Sequence, residues 1–125
     1  MKMKKVLIVD DEAAFTRAVK LAFEGKENYE VCVENDPRTA LVTARKFQPD
    51  IIVLDVVMPE LDGGEVHRQF LTDPVLKDIP VIFLTAIVQQ KEVAERNGMI
   101  GGSFYIAKPV DAGELINAID EHIHS

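Results

Sequence analysis

One cysteine is all this chain carries, so no disulfide can form within it. At 125 residues it has the length of one ordinary domain and can bury a core without disulfide or metal support. That cysteine, Cys32, lies in the strand-like run YEVCVE, where apolar packing is the expected role and redox chemistry is not. This usage fits a reducing cytosol. Positive charge is also scarce: 14 basic residues stand against 21 acidic ones, a net charge of -7. This balance argues against a broad basic face for phosphate backbones, and no direct nucleic-acid partner is expected for this chain. Long apolar runs are missing too. The basic start MKMKK is followed only by VLIV before acids intervene, too short for a signal-peptide core, and no run reaches membrane-spanning length. The expectation is a soluble, cytoplasmic protein with no membrane partner.

What the chain has in abundance is alternation. Strand-like apolar runs are expected at Val6 to Val9, Tyr29 to Val33, Ile51 to Leu54, Val81 to Leu84 and Phe104 to Ala107. Between them run segments of helical period, the pattern of successive βαβ units around a parallel sheet. Ala14, Ala18, Leu21 and Ala22 mark one helix face, and Ala40, Leu41, Ala44 and Phe47 another. Asp36-Pro37 reads as N-cap and first helical residue, and Gln48 before Pro49 as a helix end. Gly63 and Gly64 open a third helix with Val66 and Phe70 inward. A fourth is expected over Gln89 to Asn97, with MIGG at 99 to 102 a frayed last turn or a loop. Asp111 with Glu114 three residues later opens the last, whose inner face is Leu115, Ile116, Ile119 and Ile123. With no repeats, linkers or visible effector region, residues 1–125 read as a single α/β domain of (βα)5 form, either stand-alone or cut from a larger protein.

The stretch VLIVDDE at 6 to 12 ends a buried-looking strand in three acids. Asp11 as N-cap and Glu12 in the first helical turn would account for two of them. Alternatively, Asp10 and Asp11 hold a hard cation such as Mg²⁺, which takes oxygen ligands. The rest of the chain bears on the choice, because ligands of open parallel sheets collect at the carboxyl ends of the strands. The residues just after strands one, three, four and five are Asp10 and Asp11, Asp55, Thr85 and Lys108. Taken singly, Lys108 reads as a solvated strand-end lysine, Thr85 as a cap or edge hydroxyl, and Asp55 as a turn residue. Taken together they make a phosphoryl-metal site. Three neighbouring carboxylates repel, by about 4 kcal/mol per pair at about 4 Å and an effective dielectric near 20, and Mg²⁺ would offset this. A carboxylate can attack a phosphoryl donor to form an acyl phosphate, and Asp55 is the best placed nucleophile. Lys108 would supply a cation and Thr85 a hydrogen bond.

VDDE at 9 to 12, LDVVMPELDG at 54 to 63, LTA at 84 to 86 and KP at 108 and 109 resemble, at these spacings, the receiver domain of two-component response regulators. The resemblance spans nearly the whole chain. It implies a doubly wound, flavodoxin-like five-stranded sheet in the order 2-1-3-4-5, which would leave Glu34 and Asn35 at the periphery. By position, Asp55 resembles the phosphoacceptor, Asp10 and Asp11 the metal acids, the Val57 backbone carbonyl a further metal ligand, and Thr85 and Lys108 the phosphoryl contacts. Thr85 and Tyr105 match the switch pair, and a cis bond is implied before Pro109. Mg²⁺ is the implied cofactor, and the implied partners are a histidine kinase or histidine phosphotransfer protein and a downstream protein target. The chain would modify only itself and turn over no separate substrate. Val57 and Ile87 stand apolar where the family flanks the attacking water, which implies slow loss of the phosphoryl group. NGMIGGS at 97 to 103 is one residue longer than the family leads one to expect, which implies an unusual output face. Phe15 is a candidate exposed anchor for a partner helix, with partial core packing as the alternative.

Two rivals remain at this stage. A Mg²⁺-dependent phosphatase with an aspartyl-phosphate intermediate would want a second acid two residues after the nucleophile, where Val57 stands. A flavodoxin-like flavin module would want a hydroxyl- and glycine-rich phosphate loop in place of DDE.

Overall fold

The structure, a computed structural model, describes residues 3–56, 58, 63–85, 99–100 and 103–123. The strands are β1 (Lys4–Val9), β2 (Tyr29–Glu34), β3 (Ile51–Asp55), β4 (Val81–Thr85), β5 (Met99–Ile100) and β6 (Ser103–Ala107). The described helices are α1 (Ala13–Phe23), α2 (Ala40–Phe47), α3 (Gly63–Leu71) and α4 (Ala112–His122), with a 3-10 turn at Pro37–Thr39 leading into α2. Sheet order is β2-β1-β3-β4-β6-β5. All neighbours are parallel except the β5-β6 pair. The five expected strands therefore take the expected order. The expected fourth helix, Gln89 to Asn97, lies outside the described residues.

Alternation along each strand divides the core between the two faces of the sheet. Val6, Ile8, Val53, Ile82 and Leu84 pack with α1 and α4, while Leu7, Val9, Ile52, Leu54 and Phe83 pack with α2 and α3. Residues 6–9 and 51–54 are fully buried on both faces, which is why those strands read as continuous apolar runs with no polar alternation.

Three expectations need correction or refinement. Helix α1 buries Thr16, Val19 and Phe23, with Phe15 and Ala22 packed beside them, while Ala14, Ala18 and Leu21 face solvent. The true stripe is one position out of phase with the expected one. Alanine recurs at helical spacing on both sides of this helix and buries too little area to fix the phase, whereas Val19 and Phe23 bury far more. Second, Met99 and Ile100 form neither a helix end nor an unpaired loop: they pair antiparallel with Phe104 and Ser103. Gly101-Gly102, which separates the paired Ile100 and Ser103, is a residue pair that two-residue hairpin connections favour, so a signal was present. Third, Glu12, not Asp11, occupies the N-cap position of α1, and its side chain makes no capping bond.

The other helices agree with the sequence reading. Ala40 and Ala44 of α2 are buried, with Leu41 and Phe47 packed against the same core. Asp36 caps the entry turn by accepting from the Arg38 N–H at 2.9 Å. Gln48 closes α2 in the left-handed conformation at φ 54° and donates its N–H to the Ala44 carbonyl. Val66 and Phe70 of α3 point inward, and Asp111 caps α4 through the Glu114 N–H at 2.8 Å.

Candidate functional site

Four strands, β1, β3, β4 and β6, deliver the residues at their carboxyl ends to one rim of the sheet. Register sets Asp55 opposite Leu84 and Thr85 opposite Ala107, so each chain leaves its strand at the same level. Hydrogen bonds then stitch the exits together: Val56 N–H donates to Leu84 O at 2.9 Å and Lys108 N–H to Thr85 O at 2.8 Å. Asp10, Asp55 and Thr85 are all buried there, and Asp11 is exposed at the mouth.

The charges converge. One carboxylate oxygen from each of Asp10, Asp11 and Asp55 can be chosen so that all three lie within 4.8 Å of one another. Lys108 reaches into the group from the end of β6. Its Nζ lies 2.7 Å from Glu12 Oε1, 2.9 Å from Asp10 Oδ2 and 3.5 Å from Asp55 Oδ2. Burial alone would lower the pKa of Lys108, but Glu12, Asp10 and Asp55 together outweigh it and hold the ammonium well above its ordinary value. The Lys108–Pro109 peptide is cis.

Asp10 is the strained member. Its Oδ1 accepts the Glu12 N–H at 2.9 Å. Its buried Oδ2 has the Lys108 ammonium nearby but no well-directed hydrogen bond. Burial pushes its pKa up, and the Glu12 N–H and the ammonium only partly counter this. An all-oxygen set of three carboxylates, one with a buried oxygen short of a directed donor, fits a hard divalent cation. Val57, whose carbonyl the family resemblance adds to this set, lies outside the described residues.

In the metal-free protein the burial of the Asp10 carboxylate should therefore make stability depend on pH, and Asp10→Asn, which removes the titrating charge, should abolish that dependence. Urea unfolding with a chelator present checks this. The sign with pH follows from the raised pKa: Asp10's contribution is fully present below the unfolded value of 3.8 and is lost as pH rises through the folded value. The wild-type chain should thus gain from this group on acidification, and Asp10→Asn should not.

Sequence reasoning missed two residues of this rim. Asn35, set aside as peripheral, donates from Nδ2 to the Asp10 carbonyl at 2.7 Å and to Thr16 Oγ1 at 3.0 Å, tying the loop after β1 to α1. β2 neighbours β1 directly, as the expected order already has it, so an edge strand still brings its terminal residue within reach of the Asp10 loop. Glu12, read as a helix-start acid, is spent on Lys108, a pairing between residues 96 positions apart. Glu34, the sequence neighbour of Asn35, turns its carboxylate away from the site and accepts from Thr43 Oγ1 at 2.6 Å and from the Asp36 N–H. Phe15 packs partly into the core with its ring 5.3 Å from Lys108 Nζ, so the partial-packing alternative holds. Burial pushes the Cys32 thiol up, in keeping with a packing role.

The aromatic expectation is also placed. Tyr105 is half-buried and stacks on Phe83 with centroids 5.0 Å apart, and Phe83 in turn makes a near-perpendicular contact with the His67 ring. Phe104 faces the opposite side of the sheet, against His122.

The family model "Response regulator receiver domain" matches residues 6–120. The response regulator PleD of Caulobacter vibrioides is 38% identical over 108 residues, covering 86% of this chain and 23% of its own length. The alkaline phosphatase synthesis transcriptional regulatory protein PhoP of Bacillus subtilis is 34% identical over 113 residues, covering 90% of this chain and 45% of its own. The chain thus spans less than half the length of these curated relatives. Among solved structures, the chemotaxis response regulator CheY4 of Vibrio cholerae superposes with a TM-score of 0.79 at 28% identity, covering 96% of this chain and 98% of that one. No helix among the described residues is long and apolar enough to cross a membrane. Neither the phosphatase nor the flavin reading is favoured by any of these matches. The chain belongs to the response regulator receiver domains of two-component signal transduction.

Proposed function

We propose that Asp55 accepts a phosphoryl group from a phosphohistidine in a Mg²⁺-dependent reaction, and that the resulting charge alters a protein-binding face. The observation that carries this is the convergence of Asp10, Asp11 and Asp55 oxygens within 4.8 Å, with the Lys108 ammonium 3.5 Å from Asp55. An oxygen of the Asp55 carboxylate attacks phosphorus, the P–N bond of the donor breaks, and its electron pair passes to the departing imidazole. Asp10, Asp11 and Asp55, with the Val57 carbonyl, would hold Mg²⁺, which when bound neutralises the carboxylates and polarises the phosphoryl oxygens. Lys108 offsets charge on the equatorial oxygens, and the Thr85 hydroxyl donates to one of them. Thr85 and Tyr105 then form the switch, with the Phe83-Tyr105 stack as the element that is biased.

On this reading residues 1–125 are one phosphoacceptor domain. It modifies only itself and turns over no separate substrate. Its partners are a histidine kinase or histidine phosphotransfer protein and a downstream protein, met in the cytoplasm without direct nucleic-acid or membrane contact. Borohydride reduction of the modified protein followed by peptide mapping locates the acyl phosphate. Label at Asp55 is expected, and label elsewhere refutes the assignment. Val57 and Ile87 offer no polar group to hold an attacking water, so the phosphoprotein should persist for minutes or longer. Val57→Asn should shorten its life several-fold. A native half-life of seconds that Val57→Asn leaves unchanged would contradict this.

A further inference from the structure

Lys108 is shared between two environments. On one side lie Asp10 and Asp55, the buried acids of the proposed phosphoryl site. On the other lies an open hollow of about 380 Å³ lined by Glu12, Phe15, Lys108, Pro109 and Val110. The ammonium sits closest to the hollow's acid: Glu12 Oε1 is at 2.7 Å, with the buried Asp10 Oδ2 at 2.9 Å and Asp55 Oδ2 at 3.5 Å. The Phe15 ring, 5.3 Å from Nζ, flanks it on the same side. These two residues are one helical turn apart at the start of α1, so a single element presents both.

The geometry points to Glu12 as a positioning residue that, with Phe15, forms a resting seat for the Lys108 ammonium, which the lysine must leave to serve the phosphoryl group. This rests on the phosphoacceptor reading above. A contact made in the resting state and given up at the transition state slows the reaction by the strength of that contact. The Glu12 side chain is 62% exposed, so its pull on the ammonium is screened and the brake is modest. Its loss should speed modification about fivefold.

The test is a double-mutant cycle read by intact mass, with acetyl phosphate and Mg²⁺ as probes. Glu12→Gln is expected to be modified about fivefold faster than the native chain, with no such gain in the Lys108→Ala background. Equal acceleration in both backgrounds would show only that a negative charge had been removed from the path of an anionic donor, and would overturn the proposal. So would a Glu12→Gln protein that is slower than native or unchanged. A second readout needs no chemistry at all: NMR of the lysine ammonium groups in unmodified protein. The Lys108 signal, shielded from solvent exchange while seated, should weaken in Glu12→Gln, and an unaltered signal contradicts the seat even if the double mutant is too slow to measure. A native chain that takes up no phosphoryl group would instead defeat the phosphoacceptor reading, while the NMR result would still decide whether the seat exists.

Discussion

Gly63→Ala should destabilise the protein by about 3 kcal/mol and blunt modification at Asp55 in whatever remains folded. The first residue of α3 lies against the backbone of the proposed nucleophile. A Cβ built there would overlap the Asp55 carbonyl oxygen and lie 2.8 Å from Val56 Cα. Neither atom is the end of a flexible side chain, so one main-chain segment must shift. The same residue donates its N–H to Val56 O at 2.8 Å, which fixes how closely α3 approaches the end of β3. The substitution therefore moves either Asp55 or the helix. Urea unfolding gives the loss of stability, and the modification rate under strongly native conditions gives the displacement. By contrast Gly25→Ala, where a Cβ meets nothing within 4 Å, should unfold like wild type.

Lys108→Ala should produce effects of opposite sign on chemistry and on metal binding. Loss of a cation placed to meet developing phosphoryl charge should slow modification by about 10²–10³-fold. Yet Mg²⁺ should bind about tenfold more tightly, because the ammonium 2.9 Å from Asp10 and 3.5 Å from Asp55 no longer competes for the same oxygens. Without divalent cation the variant should also be less stable than native, by about 3 kcal/mol, since removing one partner of a buried pair strands the other. Added Mg²⁺ should restore most of that. Calorimetric titration and unfolding with and without Mg²⁺ separate these effects. A variant that is slow and also binds the metal more weakly would mean that Lys108 supports the acids and does not compete for them.

Much of this was legible because the apolar runs of residues 6–9 and 51–54 suit a strand buried on both faces, and strand ends in such a sheet share a rim. Asp10, Asp55, Thr85 and Lys108 follow from that single inference. The phase of α1 was not legible, since alanines at 14, 18 and 22 carry a helical period without enough area to say which side is inward. Nor were Asn35 and Glu12, whose contacts join residues 25 and 96 positions apart. Such pairings exist only once the sheet order is in place. The Met99–Ile100 pairing was within reach of turn chemistry but masked by the helical pattern expected just before it.

The central claim meets its most direct trial in the intact mass of the protein after incubation with a small acyl-phosphate donor, with Mg²⁺ and with chelator, for the native chain and for Asp55→Asn. One phosphoryl group added to the native chain, dependent on Mg²⁺ and absent from Asp55→Asn, is the predicted result. Modification indifferent to the metal, or undiminished when Asp55 is replaced, would contradict it.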